Sequence, residues 1–384
     1  MPDKFTFSAG SSLPEIAENV ASEIAYITRS VSPLLVSLGF PDGLFQADNV
    51  RYEWLEESLN ANGTTLTGTH NTVVTTVNVA TGTGTRFVAG DVIQVDGSRE
   101  LMSVSAAAAN SLTVVRGIRG TTAESYTAGQ LLKRMHNPAI ENETAPAAAP
   151  VNRVRKANFT QIFRKVAAVT RSARQVKLLG GVADELEHQV MLSERDLIRD
   201  LAYTVVNGKA QSANPQGTTA QARTMDGIIQ SILGGSDAST VDAATGSLTE
   251  ALLNQLLEDM FTKGGTPKLL CAPPQQRRKL SALLQGRQRY APSDNVLGAV
   301  VERFTSDLGE LDVLAPDIFI PSDTILVLDP SRIRVGSLGS GGPFEVVDLG
   351  VNGLSTSKEV VGEFTLEMMN AGDGGHGLIQ NLAT

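Results

Sequence analysis

The first arrangement in this sequence that could do chemistry is a histidine beside carboxylates. His188 follows Glu187 directly and Glu185 by three residues. Metal sites need His, Cys or carboxylate ligands at short helical or hairpin spacings, and an HExxH pair would set two imidazoles on one helix face. No HExxH occurs, and one histidine on a charged helix face reads as a solvated residue. Cys271 could be a nucleophile, but Leu270 and Ala272 flank it and no histidine is near in sequence, so it reads as a buried core thiol. Gly336–Gly342 is glycine-rich, lacks the lysine of a phosphate cradle and precedes a strand, so it reads as a hairpin loop. A GxSxG elbow is absent. The Asn-x-Thr sites at Asn62, Asn142 and Asn158 carry meaning only in a secreted chain. The expectation is a protein with no catalytic, cofactor-binding or metal-binding residues and no cofactor, hence not an enzyme.

Charge is the remaining signal. Val151–Lys177 holds Arg153, Arg155, Lys156, Arg164, Lys165, Arg171, Arg174 and Lys177 and no acidic residue. Residues 1–62 are the opposite: Lys4, Arg29 and Arg51 stand against Asp3, Glu15, Glu18, Glu23, Asp42, Asp48, Glu53, Glu56 and Glu57. Three readings of the basic run stay open. It can be a solvated strand face, where ion pairs contribute little. It can touch nucleic acid, although Phe159 and Phe163 are its only aromatics for base stacking. It can complement the acidic segment of another copy, which would set register and orientation more than affinity. The interface reading ranks above the nucleic-acid one and level with the solvated face. Its candidates are Glu53, Glu56, Glu57, Arg153, Arg155, Lys156, Arg164, Lys165, Arg171 and Arg174.

Several elements must position these charges. Ile16, Val20, Ile24 and Ile27 recur at helical spacing near the start. From Gly63 to Arg134 the chain turns Thr-, Val-, Gly- and Ala-rich. The spacing predicts short strands at Val73–Val79, Val92–Val95, Leu101–Val104, Leu112–Val115 and Gln130–Lys133, separated by turn signals, as in a small sandwich or barrel. Residues 137–150 read as an extended linker. Phe159–Val166 has strand-favouring content. Leu186, Val190, Leu197, Leu201 and Val205 predict a long helix from Val182 to about Val206, with Asp184 and Glu185 in its first turn and a stop at Asn207-Gly208. Residues 209–246 read as a loop region. Ser247 and Glu250 predict a capping box before a stripe from Leu248 to Phe261. Pro267–Ala272 reads as a buried strand and Gln275–Leu284 as a helix. Strands are expected at Val300–Thr305, Leu311–Leu314, Thr324–Leu328 and Ile333–Gly336, and two or three more within Phe344–Met369.

Bulk numbers bound the class. The 384 residues suffice for two or three domains. A net charge of −9 argues against a protein that grips duplex DNA through phosphates. One cysteine excludes a disulfide framework. No apolar run approaches a membrane span, and Met1–Ser12 lacks a secretory signal layout, so use inside a cytoplasm is expected.

The order of parts resembles the Hong Kong 97-type fold of tailed-phage major capsid proteins, an α+β fold. Local stretches agree: Ile320–Pro330 resembles the strand leaving its axial domain, and Val360–Glu367 its final strand pair. Phe87–Ile93, Arg116-Gly117 and Gly120-Thr121-Thr122 resemble a small β-domain inserted in some phage structural proteins. Over most of the chain the sequence is similar to the SU-ten-like group of phage major head proteins. This resemblance implies an N-terminal arm and the start of the extended E-loop at 1–62, an inserted β-domain at 63–134, and a returning E-loop strand at 135–180. It further implies a peripheral-domain spine helix at 181–217, an axial domain at 218–325 and C-terminal peripheral strands at 326–384. The implied partners are copies of itself in hexamers and pentamers, a portal, a separate scaffold or decoration protein, and non-specific contact with packaged double-stranded DNA, with no membrane. The E-loop would lie over a neighbour, the arm would clasp a third surface, and the β-domain would face outward. Assembly in a bacterial host's cytoplasm would end in a virion capsid. No lysine–asparagine cross-linking pair can be placed. Rival expectations are an encapsulin-type compartment shell and, from another class, a glycan-binding adhesin using the β-domain.

Overall fold

The computed structural model describes residues 32–57, 61–139, 141, 153–175, 184–235, 237–285, 303–339 and 343–384. The helical spacing from Ile16 to Ile27 and most of the linker lie outside these residues. The chain forms two compact units, Leu55–Val154 and the remainder.

In chain order the described elements begin with α1 (Pro33–Ser37), β1 (Phe45–Ala47) and β2 (Arg51–Glu56). Six strands of the smaller unit follow: β3 (Gly63–Thr65), β4 (Thr76–Asn78), β5 (Val92–Val95), β6 (Met102–Ala108), β7 (Ser111–Val115) and β8 (Leu131–His136). The chain returns through β9 (Val154–Phe159), β10 (Gln161–Thr170) and α2 (Arg171–Gln175) to the long α3 (Glu185–Asn207). Then come α4 (Ile228–Leu233), β11 (Ser239–Asp242), α5 (Glu250–Thr262), β12 (Leu269–Cys271) and α6 (Pro274–Gln285). The last strands are β13 (Arg303–Ser306), β14 (Gly309–Val313), β15 (Ile325–Leu328), β16 (Ile333–Leu338), β17 (Glu345–Asn352), β18 (Ser355–Met368) and β19 (Gly377–Gln380).

In the smaller unit the strands run β3-β8-β5-β6-β7-β4. A Leu66–Val79 bridge joins the two ends, with Thr67 N–H on Asn78 O at 2.9 Å and Ala80 N–H on Thr65 O at 3.0 Å, so the sheet closes into a barrel. Alternating inward residues (Val77, Ile93, Val95, Met102, Val104, Leu112, Val114, Leu132) fill it. Two carboxylates are fully buried here, Asp91 and Glu100. Glu100 accepts both Arg116 Nε and Nη2 at 2.7 Å, Tyr126 Oη at 2.7 Å, and the N–H groups of Glu124 at 2.8 Å and Gly117 at 3.1 Å. Burial alone would raise its carboxyl. Those donors outweigh burial and hold it at about 2. The expected strand at Val73–Val79 shrinks to Thr76–Asn78, because Asn71 Oδ1 takes the N–H groups of Val73 and Val74, both at 3.0 Å, into a turn.

The larger unit carries two sheets. One is ordered β1-β16-β18-β10, with β17 also on β18. The other is ordered β11-β19-β15-β12-β14-β13. β15 is buried at every position because its alternate residues feed two cores. Ile325 and Val327 meet Leu253, Leu256 and Met260 of α5, while Leu326 and Leu328 face the core shared with Leu197, Leu201 and Val205 of α3. Phe364 of β18 is the hub of that second core, with Phe40, Phe163 and Phe344 edge-on at 6.3, 5.9 and 5.3 Å.

Four expectations need correction. The long helix starts at Glu185, because Asp184 stands outside it as the cap and accepts Leu186 N–H at 2.9 Å. Its stop at Gly208 does not use a left-handed turn (φ −56°). A side chain there would collide with Thr204 O and Met225 O as the backbone of Gly227 packs alongside. The α5 cap is Thr249 and not Ser247, since the Thr249 hydroxyl is the one that reaches Leu252 N–H. Residues 209–246 contain α4 and β11, which are short and set among glycines and serines.

Candidate functional site

β2 and β9 pair as a two-stranded ribbon, most of it within the larger unit, and its root lies at Val50 and Thr160. A buried polar clasp fixes that root. Asn158, 3% exposed, donates from Nδ2 to Asp226 O at 3.0 Å and Leu366 O at 2.8 Å, and its Oδ1 accepts Asp226 N–H at 3.0 Å and Phe159 N–H at 2.8 Å. Fully buried Thr160 sends its N–H to Val50 O at 2.9 Å and its hydroxyl to Glu363. Arg223 pairs with the same Glu363 carboxylate and donates to Thr160 O at 2.6 Å. Gln161 Oε1 takes Met225 N–H at 3.2 Å. Residues 223–226 thus thread between the ribbon root and β18, held in part by the buried donors Asn158 and Thr160, for which water is not a ready substitute.

Aromatic rings continue the root. Phe45 and Tyr52 lie 4.6 Å apart, and Tyr52 and Trp54 6.3 Å. Glu367 of β18 is buried beside Tyr52 and Arg334, and burial pushes its carboxyl up while Arg334 and the Tyr52 hydrogen bond oppose the rise.

The sequence-predicted interface residues fall into two groups. On the ribbon, Arg155 reaches Glu53 at 3.3 Å, Arg51 reaches Glu53 at 3.0 Å, and Arg153 reaches Glu57 at 3.4 Å. Glu56 is buried and Lys156 half-buried. The acidic and basic segments therefore meet inside one chain at these pairs; pairing between two copies is one of the three readings of the basic run. On the body, Lys165 of β10 reaches Asp196 at 3.1 Å and Asp200 at 3.3 Å on α3, and Arg174 reaches Asp184 at 3.2 Å. Arg164 points to the opposite face of β10 from Lys165. It is 74% exposed, and Glu359 is 3.8 Å away across the strand pair. Arg171 is exposed at the start of α2.

Other chemistry-bearing residues separate. His188 is half-buried on α3, and among the described residues no three His, Cys, Asp or Glu side chains are grouped to hold a metal ion. Cys271 is buried, which pushes its thiol far up. Gly336–Leu338 is not a hairpin loop. It is the end of β16, and β16 and β17 lie end to end along one edge of β18, whose other edge is taken by β10. Sequence reasoning missed the clasp residues Thr160, Arg223, Asp226 and Glu363, and saw Asn158 only as a sequon. Its one usable trace was a run of polar side chains inside strand-favouring sequence. No helix among the described residues is long and apolar enough to cross a membrane.

The fold of this chain is shared with solved shells. The cyanophage A-1(L) capsid subunit aligns over 98% of this chain and 100% of that one, at TM-score 0.57 and 12% identity. A subunit of a native GTA particle capsid aligns over 98% of each chain, at TM-score 0.56 and 8% identity. A Mycobacterium phage Adephagia chain aligns over 98% of each, at TM-score 0.50 and 11% identity. No protein of curated function matches the sequence. The fold is thus the Hong Kong 97-type capsid fold.

Residues 2–383 match the SU10 major capsid protein family, and the chain belongs to it. It is a self-assembling subunit of a phage head shell and a component of the virion capsid. That membership sets aside the compartment and adhesin readings.

Proposed function

We propose that copies of this chain assemble as hexamers and pentamers in a bacterial host's cytoplasm, enclose double-stranded DNA that they touch without sequence preference, and act with a portal and a separate scaffold or decoration protein. The shell role is structural and involves no catalysis. In this reading residues 1–62 supply the arm and the outgoing E-loop, 63–134 the inserted β-domain, 135–180 the returning strand, 181–217 the spine helix, 218–325 the axial domain and 326–384 the closing strands. The observation that carries it is the ribbon. A two-stranded element rooted by a buried clasp, with its charges partly paired along its own length, suits a part that reaches a neighbouring copy at a fixed angle.

The interface candidates then separate by role. The Glu53–Arg155 and Glu57–Arg153 pairs are exposed and worth about 0–1 kcal/mol each, so they shape the ribbon more than they hold it. Arg164, with one distant partner, is the charge best placed to meet another subunit. Arg164→Glu tests this. The expected outcome is unchanged thermal unfolding of the subunit with loss of closed shells by electron microscopy, and normal shells would remove Arg164 from the interface. Lys165→Glu is a poorer probe, because it sets three carboxylates together against α3 and lowers stability itself.

A further inference from the structure

The helically spaced apolar segment near the N-terminus lies within the proposed arm, which the assembly reading gives no seat on its own subunit, and an apolar groove has no occupant among the described residues. The groove holds about 480 Å³ and lies between the last turns of α3 (Tyr203, Asn207), the start of α6 (Pro273, Pro274) and the stretch Ile318–Ser322. Two of its side chains are strongly exposed for their type, Tyr203 at 59% and Ile318 at 52%. Its shape is held from behind. Asn207 Nδ2 donates to Phe319 O at 2.8 Å, and buried Asp317 accepts Phe319 N–H at 2.9 Å.

The same Asp317 also fixes where the upstream chain leaves. Its other carboxylate oxygen accepts the Ser32 hydroxyl and Leu34 N–H (3.4 Å), so residue 32 is pinned beside the residue that precedes Ile318. Thirty-one residues precede Ser32. Within them Ile16, Val20, Ile24 and Ile27 are spaced for one helical face, and Ile27 stands five positions before Ser32. Five extended residues reach roughly 17 Å, enough to bring that face back to a groove whose Ile318 adjoins Asp317, the partner of Ser32. A tether this short gives an effective concentration on the order of millimolar, well above that of a second copy in dilute solution.

We propose that the groove is the seat of the chain's own segment 13–27, with Ile16, Val20, Ile24 and Ile27 covering Tyr203, Ile318 and the two prolines. The segment thus has a docked position on its own subunit, whatever other surface it meets in a shell.

The test uses the full chain. Tyr203 is replaced by p-benzoylphenylalanine, which keeps an aromatic ring in the groove, and isotopically heavy and light copies are mixed before irradiation. Mass spectrometry of the cross-linked peptides is expected to join position 203 to residues 13–27 within one isotopic form. Cross-links to those residues between heavy and light copies, cross-links to any other segment, or none at all, overturn the proposal. Val20→Asp with Ile24→Asp in the same background should lower the intramolecular yield by about tenfold or more, since two apolar side chains leave the contact. An unchanged yield overturns it as well. Neither readout depends on shell formation, so the proposal and the assembly reading fail separately.

Discussion

Removing the Asn158 side chain should loosen the ribbon without unfolding the subunit. Of the four bonds that Asn158→Ala deletes, the one from Phe159 N–H is local and three cross to other segments: the two donated to Asp226 O and Leu366 O, and the one accepted from Asp226 N–H. The site is 3% exposed, so water does not replace them easily. At about 1 kcal/mol net per bond the loss of the crossing bonds comes to about 3 kcal/mol. Because the bonds join the root of β9 to residues 223–226 and to β18, the cost falls on local opening of that root. A change of about 3 kcal/mol is roughly a hundredfold in the open population. Hydrogen exchange resolved by peptide mass spectrometry should therefore show amides of 158–160 and 223–227 exchanging about a hundredfold faster, with the barrel unchanged. Asn158→Asp should be worse, since it turns donors into a negative charge facing two carbonyls. Exchange at the root equal to that of the unaltered protein would falsify the clasp.

Two further outcomes follow from buried titratable groups and a third from close backbone packing. His376 is fully buried, accepts Asp329 N–H at 3.2 Å and faces Met369 O at 3.2 Å, and burial pushes its imidazole from 6.5 down to about 4. The unfolded chain then binds the extra proton between those values, so stability should fall by about 3 kcal/mol as pH drops from 6.5 to 4. Urea unfolding should show this slope and lose it in His376→Gln. Arg116→Met strands the buried Glu100 carboxylate and should destabilise the barrel by about 3–5 kcal/mol, read by the denaturant midpoint of the barrel's transition, while Lys133→Met, at an exposed pair, should cost under about 1 kcal/mol. Gly208→Ala should shift the thermal midpoint down despite an ordinary backbone angle, because the added methyl meets two carbonyl oxygens.

What was legible in the sequence was local. The α3 stripe from Leu186 to Val205 and the barrel strands between their turns follow periodicities of a few residues, and the structure places them within a few positions. What was hidden was non-local or polar. Asn158 finds its partners 68 and 208 residues away, distances at which no spacing rule operates. The end-to-end seating of β16 and β17 on β18 depends on a strand long enough to serve both, which Ser355–Met368 conceals behind an ordinary mix of serines, glutamates and valines. The basic run was visible, but its partners Asp196 and Asp200 sit on a helix whose polar face looked merely solvated. A charge pattern names the sign of a partner and not its address.

The closed barrel has a consequence for any particle that repeats it. A shell multiplies every surface of its subunit, so one open strand edge becomes an array of edges at high local density, each able to pair with the next particle. Joining Leu66 to Val79 spends those backbone groups inside the unit. The hairpin turns are then the open places left on the barrel, such as Asp96-Gly97 between β5 and β6, where Gly97 holds φ +79° with open space around it. A foreign peptide grafted there would be displayed in many copies without offering neighbouring particles a strand to join.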